Sequence, residues 1–182
     1  KGLWQGEGGV ATCPRSATMF LGTRPYFPAG SLDVQLTYPD SARSIPKDTL
    51  RQLLADCSLD HLLGGVSSAS AVPFAASELS LSEQQQLAVA RLLLKRPQFA
   101  VLDEATSAVD PSTEQKMYEQ ILGRSITLIT VSTRASLLRF HSRILKVKSG
   151  REGASSTKGW SIASIENDVQ NFPSPILRPS AP

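Results

Sequence analysis

Asp103 and Glu104 are the residues of this chain best suited to chemistry, two adjacent carboxylates closing a short apolar run, Gln98 to Leu102. That run reads as a fully buried strand of the kind found inside parallel sheets. Such a strand delivers its last residues to the carboxyl edge of the sheet, where open α/β folds bind ligands. Paired carboxylates there are costly unless something positive, such as a metal or a phosphate-bound cation, balances them.

The elements that would position this pair lie on either side. Upstream, Ser80 and Glu83 have the Ser-x-x-Glu spacing of a capping box, in which two orphan backbone donors are satisfied reciprocally. Leu87, Ala90, Arg91 and Leu94 follow at helical spacing, and Pro97 cannot continue the helix. Downstream, a small-residue loop closes on Asp110, and Pro111 opens a helix with a core face of Met117, Ile121 and Leu122 and a stop at Gly123. Taken separately, the two halves are a capped helix and a strand with a solvated acidic end. In one unbroken string, LSLSEQQQLAVARLLLKRPQFAVLDEATSAVD, they say more.

That string resembles the nucleotide-binding domain of ABC transporters. LSLSE stands where the family carries its LSGGE signature, FAVLDE resembles the Walker B strand, and SAVD resembles the D-loop, all at family spacing without a gap. The resemblance runs from about Gly2 to Lys148. GLW near the start, RPYFPAGSLDVQLTYPD at 24–40 and RASLLRFHSRIL at 134–145 give it the flavour of the D subfamily, the peroxisomal fatty-acyl half-transporters, and of related bacterial fused permease-ATPases.

The resemblance implies an α/β fold: a P-loop NTPase-like parallel sheet with a small helical signature subdomain at about 41–96. It implies ATP and Mg2+ as ligands, with Glu104 as the catalytic carboxylate and Asp103 holding the metal through water. Ser80, Glu83, Asp110, Thr23 and Thr133 are the implied nucleotide-site positions. The implied partners are an ABC transmembrane domain and a second nucleotide-binding domain, at the cytosolic face of a peroxisomal or other organelle membrane. Transport of fatty-acyl or other lipid-like substrates is the implied parent function.

Several positions depart from the family. No Gly-Lys dipeptide occurs, so the GxxxxGK[ST] phosphate loop is missing, and the glycine-rich start, Lys1 to Pro14, does not replace it. The chain resembles the family from one helix after that loop onward, and its opening Lys1 fits a fragment or incomplete gene model. Thr23 occupies the Q-loop glutamine position and Thr133 that of the switch histidine; Leu81 and Ser82 replace the two signature glycines. His141 matches a separate family histidine and is not a displaced switch residue. These departures keep open a second reading, a catalytically dead remnant acting as an interaction or regulatory half-domain. A chromosome-maintenance or DNA-repair ATPase fits least, because RPYFPAGSL and TSAVD are transporter-like and no heptads flank the motifs.

The remaining sequence sets bounds. At 182 residues the chain can bury a sizeable core. A net charge of +3 without a Lys/Arg stripe gives no reason to expect nucleic acid. Cys13 and Cys57 are isolated, which suggests buried thiols and neither a disulfide framework nor a zinc site. No apolar run approaches the roughly 20 residues a spanning helix needs.

In chain order, Thr18–Leu21 predicts a strand and Ser31 a cap on a short helix through Leu36. Pro46 introduces a helix with Leu50, Leu53, Leu54 and Cys57 on its core face. A second short helix, Leu59–Leu63, carries a lone His61 of structural or surface character. Val66 to Ser77 reads as a loop. Ile126–Val131 predicts another buried strand, and Arg143–Val147 one paired with Trp160–Ile165. The domain reading is 1–150 for the partial ATPase domain, 151–165 for a strand region and 166–182 for a disordered Pro-rich tail.

Overall fold

A computed structural model describes residues 17–40, 44–63, 78–147 and 160–165. The glycine-rich start, Cys13, the 66–77 loop and the Pro-rich tail lie outside the described residues.

Three parallel strands form the main sheet in the order β1 (Thr18–Gly22), β2 (Phe99–Asp103), β3 (Thr127–Val131). Their register aligns Gly22, Asp103 and Val131, so all three chains leave the sheet at the same edge. The helices are α1 (Leu32–Thr37), α2 (Lys47–Asp56), α3 (Leu81–Lys95) and α4 (Pro111–Gly123), with short 3-10 turns at Asp60–Leu63 and Ala135–Phe140. A separate antiparallel pair, β4 (Arg143–Val147) and β5 (Trp160–Ser164), realises the predicted C-terminal pairing. The result is the expected α/β class with a parallel sheet.

Helix α3 is the hub of the core. Leu87, Val89, Ala90 and Leu92 are fully buried, as are Leu54 and Cys57 near α2, Leu36 on α1, and Met117, Tyr118 and Ile121 on α4. Arg91 is buried too. Its Nε donates to the Gln35 carbonyl at 2.7 Å and its Nη1 to the Tyr26 carbonyl at 3.2 Å, with the Phe27 ring 4.9 Å and the Tyr38 ring 5.3 Å from its guanidinium carbon. Burial pulls its pKa down to about 10, which leaves it cationic at neutral pH. Arg91 thereby ties α3 to α1 and to the loop after β1.

Four expectations need correction. Strands β2 and β3 are not buried on both faces: Ala100 and Leu102 are enclosed, while Ile129 and Val131 are each more than half exposed. Phe20, Val101 and Ile129 form one row across the sheet, on the face the described helices leave open. Alternation therefore follows from one-sided cover, because successive strand residues point to opposite faces. Leu122 is 41% exposed, since the buried stripe of α4 runs instead through Thr113, Glu114, Met117, Tyr118 and Ile121. Ser31 holds the N-cap position of α1 without a side-chain capping bond. The turn carrying His61 is a 3-10 helix starting at Asp60.

Candidate functional site

The common exit edge of the sheet brings Thr23, Asp103, Glu104 and Thr133 together, although they are far apart in sequence. Thr23 follows β1, Asp103 ends β2, and Glu104 turns away at a positive φ of 49°. The Glu104 backbone N–H donates to the Val131 carbonyl at 2.9 Å. Its carboxylate Oε1 accepts from the Thr133 backbone N–H at 3.0 Å, so the side chain is held across the mouth of β3. Thr23 Oγ1 lies 3.4 Å from the Asp103 carbonyl, a long hydrogen bond that spans the neighbouring strand. Asp103 is exposed, and strand alternation puts it on the open face with Val101.

The other implied residues sit at helix starts. Ser80 caps α3 in a complete capping box: the Glu83 N–H donates to Ser80 Oγ at 3.3 Å and the Ser80 N–H to Glu83 Oε2 at 2.8 Å. The Ser80 hydroxyl also donates to Glu83 Oε2 at 2.6 Å, and His61 Nε2 lies 2.8 Å from Glu83 Oε1. The bonds from Ser80, joined by that from His61, hold the Glu83 carboxyl below its usual range. Leu81, at the first helical position, is 36% exposed. Asp110 caps α4, accepting from the Ser112 and Thr113 N–H groups at 3.0 Å each. Its hydrogen bonds, that from the Ser112 hydroxyl foremost, depress its pKa strongly. Ser80, Glu83 and Asp110 therefore have firm structural roles whatever else they do.

Three residues that the sequence reading passed over complete the site. Gln85, fully buried on α3, and Arg134, directly after Thr133, both grip the loop between Glu104 and Asp110. Glu114 is buried beneath that loop, 3.0 Å from Arg134 Nη1, and accepts from Thr106 Oγ1 at 2.6 Å. A signal for Gln85 was available: it occupies a core register of α3, i to Ala88 and Leu92, where an apolar residue would be the default. His141 packs edge-on against Tyr118, ring centroids 6.4 Å apart, and burial lowers its pKa, consistent with a structural histidine.

No family model matches the chain. Known relatives do. An uncharacterized ABC transporter ATP-binding protein of Synechocystis sp. is 35% identical over 167 residues, covering 91% of this chain and 24% of its own length. The ABC transporter D family member 2, chloroplastic, of Arabidopsis thaliana is 32% identical, covering 84% of this chain and 25% of the relative. The chain belongs to the ABC transporter ATP-binding family. A further ABC relative, the ATP-binding cassette sub-family D member 3 of Mus musculus, is 38% identical over 149 residues, 79% of this chain and 23% of its own. The chain thus spans about a quarter of the length of these ABC proteins. A solved bacterial Atm1-family ABC exporter with ATP bound superposes with a TM-score of 0.67 over 86% of this chain and 27% of its own, at 20% identity. That likeness agrees with a P-loop NTPase-like core.

Among the described residues no group of three or more His, Cys, Asp and Glu could cage a metal. Asp103 and Thr23 instead offer hard oxygens, which suits Mg2+, an ion commonly held by one or two carboxylates together with substrate phosphates.

Proposed function

We propose that this chain supplies the hydrolytic edge and the signature helix of an ATP-binding unit that drives transmembrane transport. The observation that carries the reading is the adjacent pair Asp103–Glu104 at the end of the central strand, with Glu104 tethered to the Thr133 N–H at 3.0 Å. Phosphoryl transfer to water asks a protein chiefly for positioning and charge stabilisation. Glu104 polarises and orients the attacking water. Asp103 and Thr23 would hold magnesium, which would supply positive charge to the nucleotide phosphates. Ser80, at the positive end of α3, faces the nucleotide of a second such unit, because a helix start presents free N–H groups to anions. Asp110 stiffens the intervening loop against the same neighbour.

The partners in this reading are a transmembrane domain and a second ATP-binding unit, with residues 41–96 as a helical subdomain. The D-family likeness supports fatty-acyl or other lipid-like cargo and a peroxisomal or other organelle membrane. The test is ATP turnover by the intact protein in its membrane assembly, compared with Glu104→Gln. Loss of turnover with retained nucleotide binding is the expected outcome, and unchanged turnover would assign Glu104 to structure alone.

Two observations favour a second reading, a non-hydrolysing regulatory half-domain. Leu81 places a side chain where close backbone approach to phosphate would be needed, and the Ser80 hydroxyl is committed to Glu83. Absence of turnover in an intact assembly that still dimerises with ATP would select it.

A further inference from the structure

Gln85 is completely buried on the first turns of α3, in a register otherwise filled by apolar residues. A glutamine amide carries two donors and an acceptor oxygen with two lone pairs. Here its nitrogen donates to the Thr23 carbonyl at 2.9 Å and to Ser107 Oγ at 3.2 Å, and lies 3.5 Å from the Glu104 carbonyl. Its oxygen accepts from the Ala108 N–H at 2.9 Å. One side chain on the signature helix therefore touches the backbone after β1, the backbone after β2, and the loop leading to α4. Its neighbour Gln84 donates to the Leu79 carbonyl of its own helix start at 2.9 Å.

The same loop is held from the opposite side. Arg134 donates through Nη2 to the Ser107 carbonyl at 2.7 Å and through Nη1 to the Val109 carbonyl at 2.9 Å. With Gln85 on one flank and Arg134 on the other, residues 107–109 cannot shift without breaking a bond to the signature helix or to the segment after β3. A buried amide used only for packing would not need backbone partners on two separate strand exits. We propose that Gln85 is a positioning residue for hydrolysis, fixing the exits that carry Thr23 and Glu104 to the seating of α3. This rests on the reading of Asp103–Glu104 as the hydrolytic pair. When α3 is pressed by a nucleotide or a partner unit at its start, Gln85 carries that displacement directly to the Thr23 and Ala108 backbones.

The experiment compares Gln85→Leu, Gln85→Glu, Ser107→Ala and Glu104→Gln in the intact protein, by amide hydrogen exchange and by ATP turnover. Gln85→Leu removes every bond at similar volume. Gln85→Glu keeps the acceptor for the Ala108 N–H and loses the donors. Ser107→Ala leaves α3 untouched and serves if the leucine variant does not fold. Gln85→Leu is expected to speed exchange across 104–109 while 87–95 stay protected. Its kcat should fall about 10- to 100-fold, the scale of a small misplacement at a reacting centre, with little change in KM for ATP. Gln85→Glu should recover exchange protection at Ala108 but not kcat, and Ser107→Ala should show a smaller loss.

Unchanged exchange at 104–109 in Gln85→Leu and Ser107→Ala overturns the proposal, whatever the turnover. Normal kcat in Gln85→Leu, alongside an inactive Glu104→Gln, overturns it while leaving the hydrolytic reading intact. Full activity in Glu104→Gln instead removes the hydrolytic reading, and the proposal with it.

Discussion

At the scale of single residues, Glu104 and Asp103 are set apart by where the strand ends, which gives them different parts in the proposed hydrolysis. Asp103 still obeys strand alternation, whereas Glu104 has left the strand at positive φ and is caught by the Thr133 N–H. Glu104→Gln keeps the size and the tether but loses the charge that polarises water. Turnover should fall by about 100-fold or more while nucleotide binding persists, measured as kcat beside a fluorescent-nucleotide titration. Asp103→Asn should instead raise the Mg2+ concentration needed for binding. Cys57 gives a contrasting expectation. It is fully buried, and burial pushes its thiol pKa up to about 12, so little of the reactive thiolate exists at pH 8. Maleimide at pH 8 should leave the Cys57 peptide unlabelled in the folded protein and label it fully after denaturation, as read by mass spectrometry. Rapid native labelling would contradict the packing of α2.

At the scale of elements, α3 is stabilised at its start by the Ser80–Glu83 box and along its length by the core. Ser80→Ala should cost about 1 kcal/mol in thermal unfolding, the usual loss for an N-cap hydroxyl. The Glu83 carboxyl is held below its usual range, so its contribution is present above the ordinary carboxylate pKa and is lost as pH falls through the lowered folded value. Acid titration of the melting temperature should therefore flatten in Glu83→Gln relative to the wild type. The first turn also carries the sharpest departure from the family. Leu81→Gly with Ser82→Gly opens the helix start to close phosphate approach, and ATP-driven dimerisation and turnover are expected to rise. Stability should fall by no more than about 1 kcal/mol per glycine. If the rate does not rise, adding Thr133→His distinguishes a Leu81 pointing away from the nucleotide from a switch position that already limits the site.

At the scale of the whole molecule, the proposed hydrolytic edge stands in a sequence that carries no phosphate-loop motif. The 182 residues contain no GxxxxGK[ST], the segment whose N–H groups and lysine make most of the phosphate contacts. Calorimetric titration of the 182-residue chain with Mg-ATP is accordingly expected to show no binding in the micromolar range. A micromolar isotherm would mean that the edge of β1–β3 holds nucleotide by itself.

The sequence by itself determined the local elements whose causes are local. The capping box, the Pro97 stop, the Asp110–Pro111 helix start and the strand ending in Asp103 depend on neighbouring residues and fall where their spacing places them. The string from Leu79 to Asp110 carried the resemblance that the relatives then bore out. Only the tertiary structure decided which faces are covered and which distant backbones meet. Ile129 and Val131 read as buried because they are apolar, but burial depends on what packs above them, and the described helices cover the other face. Leu122 failed for the same reason, its helix being rotated so that Tyr118 and Glu114 face inward. Gln85 and Arg134 reach partners up to 62 and 27 residues away along the chain, and no periodicity within either segment encodes that meeting. It arises because three parallel strands in register end together, bringing their exits within reach of one buried amide and one guanidinium.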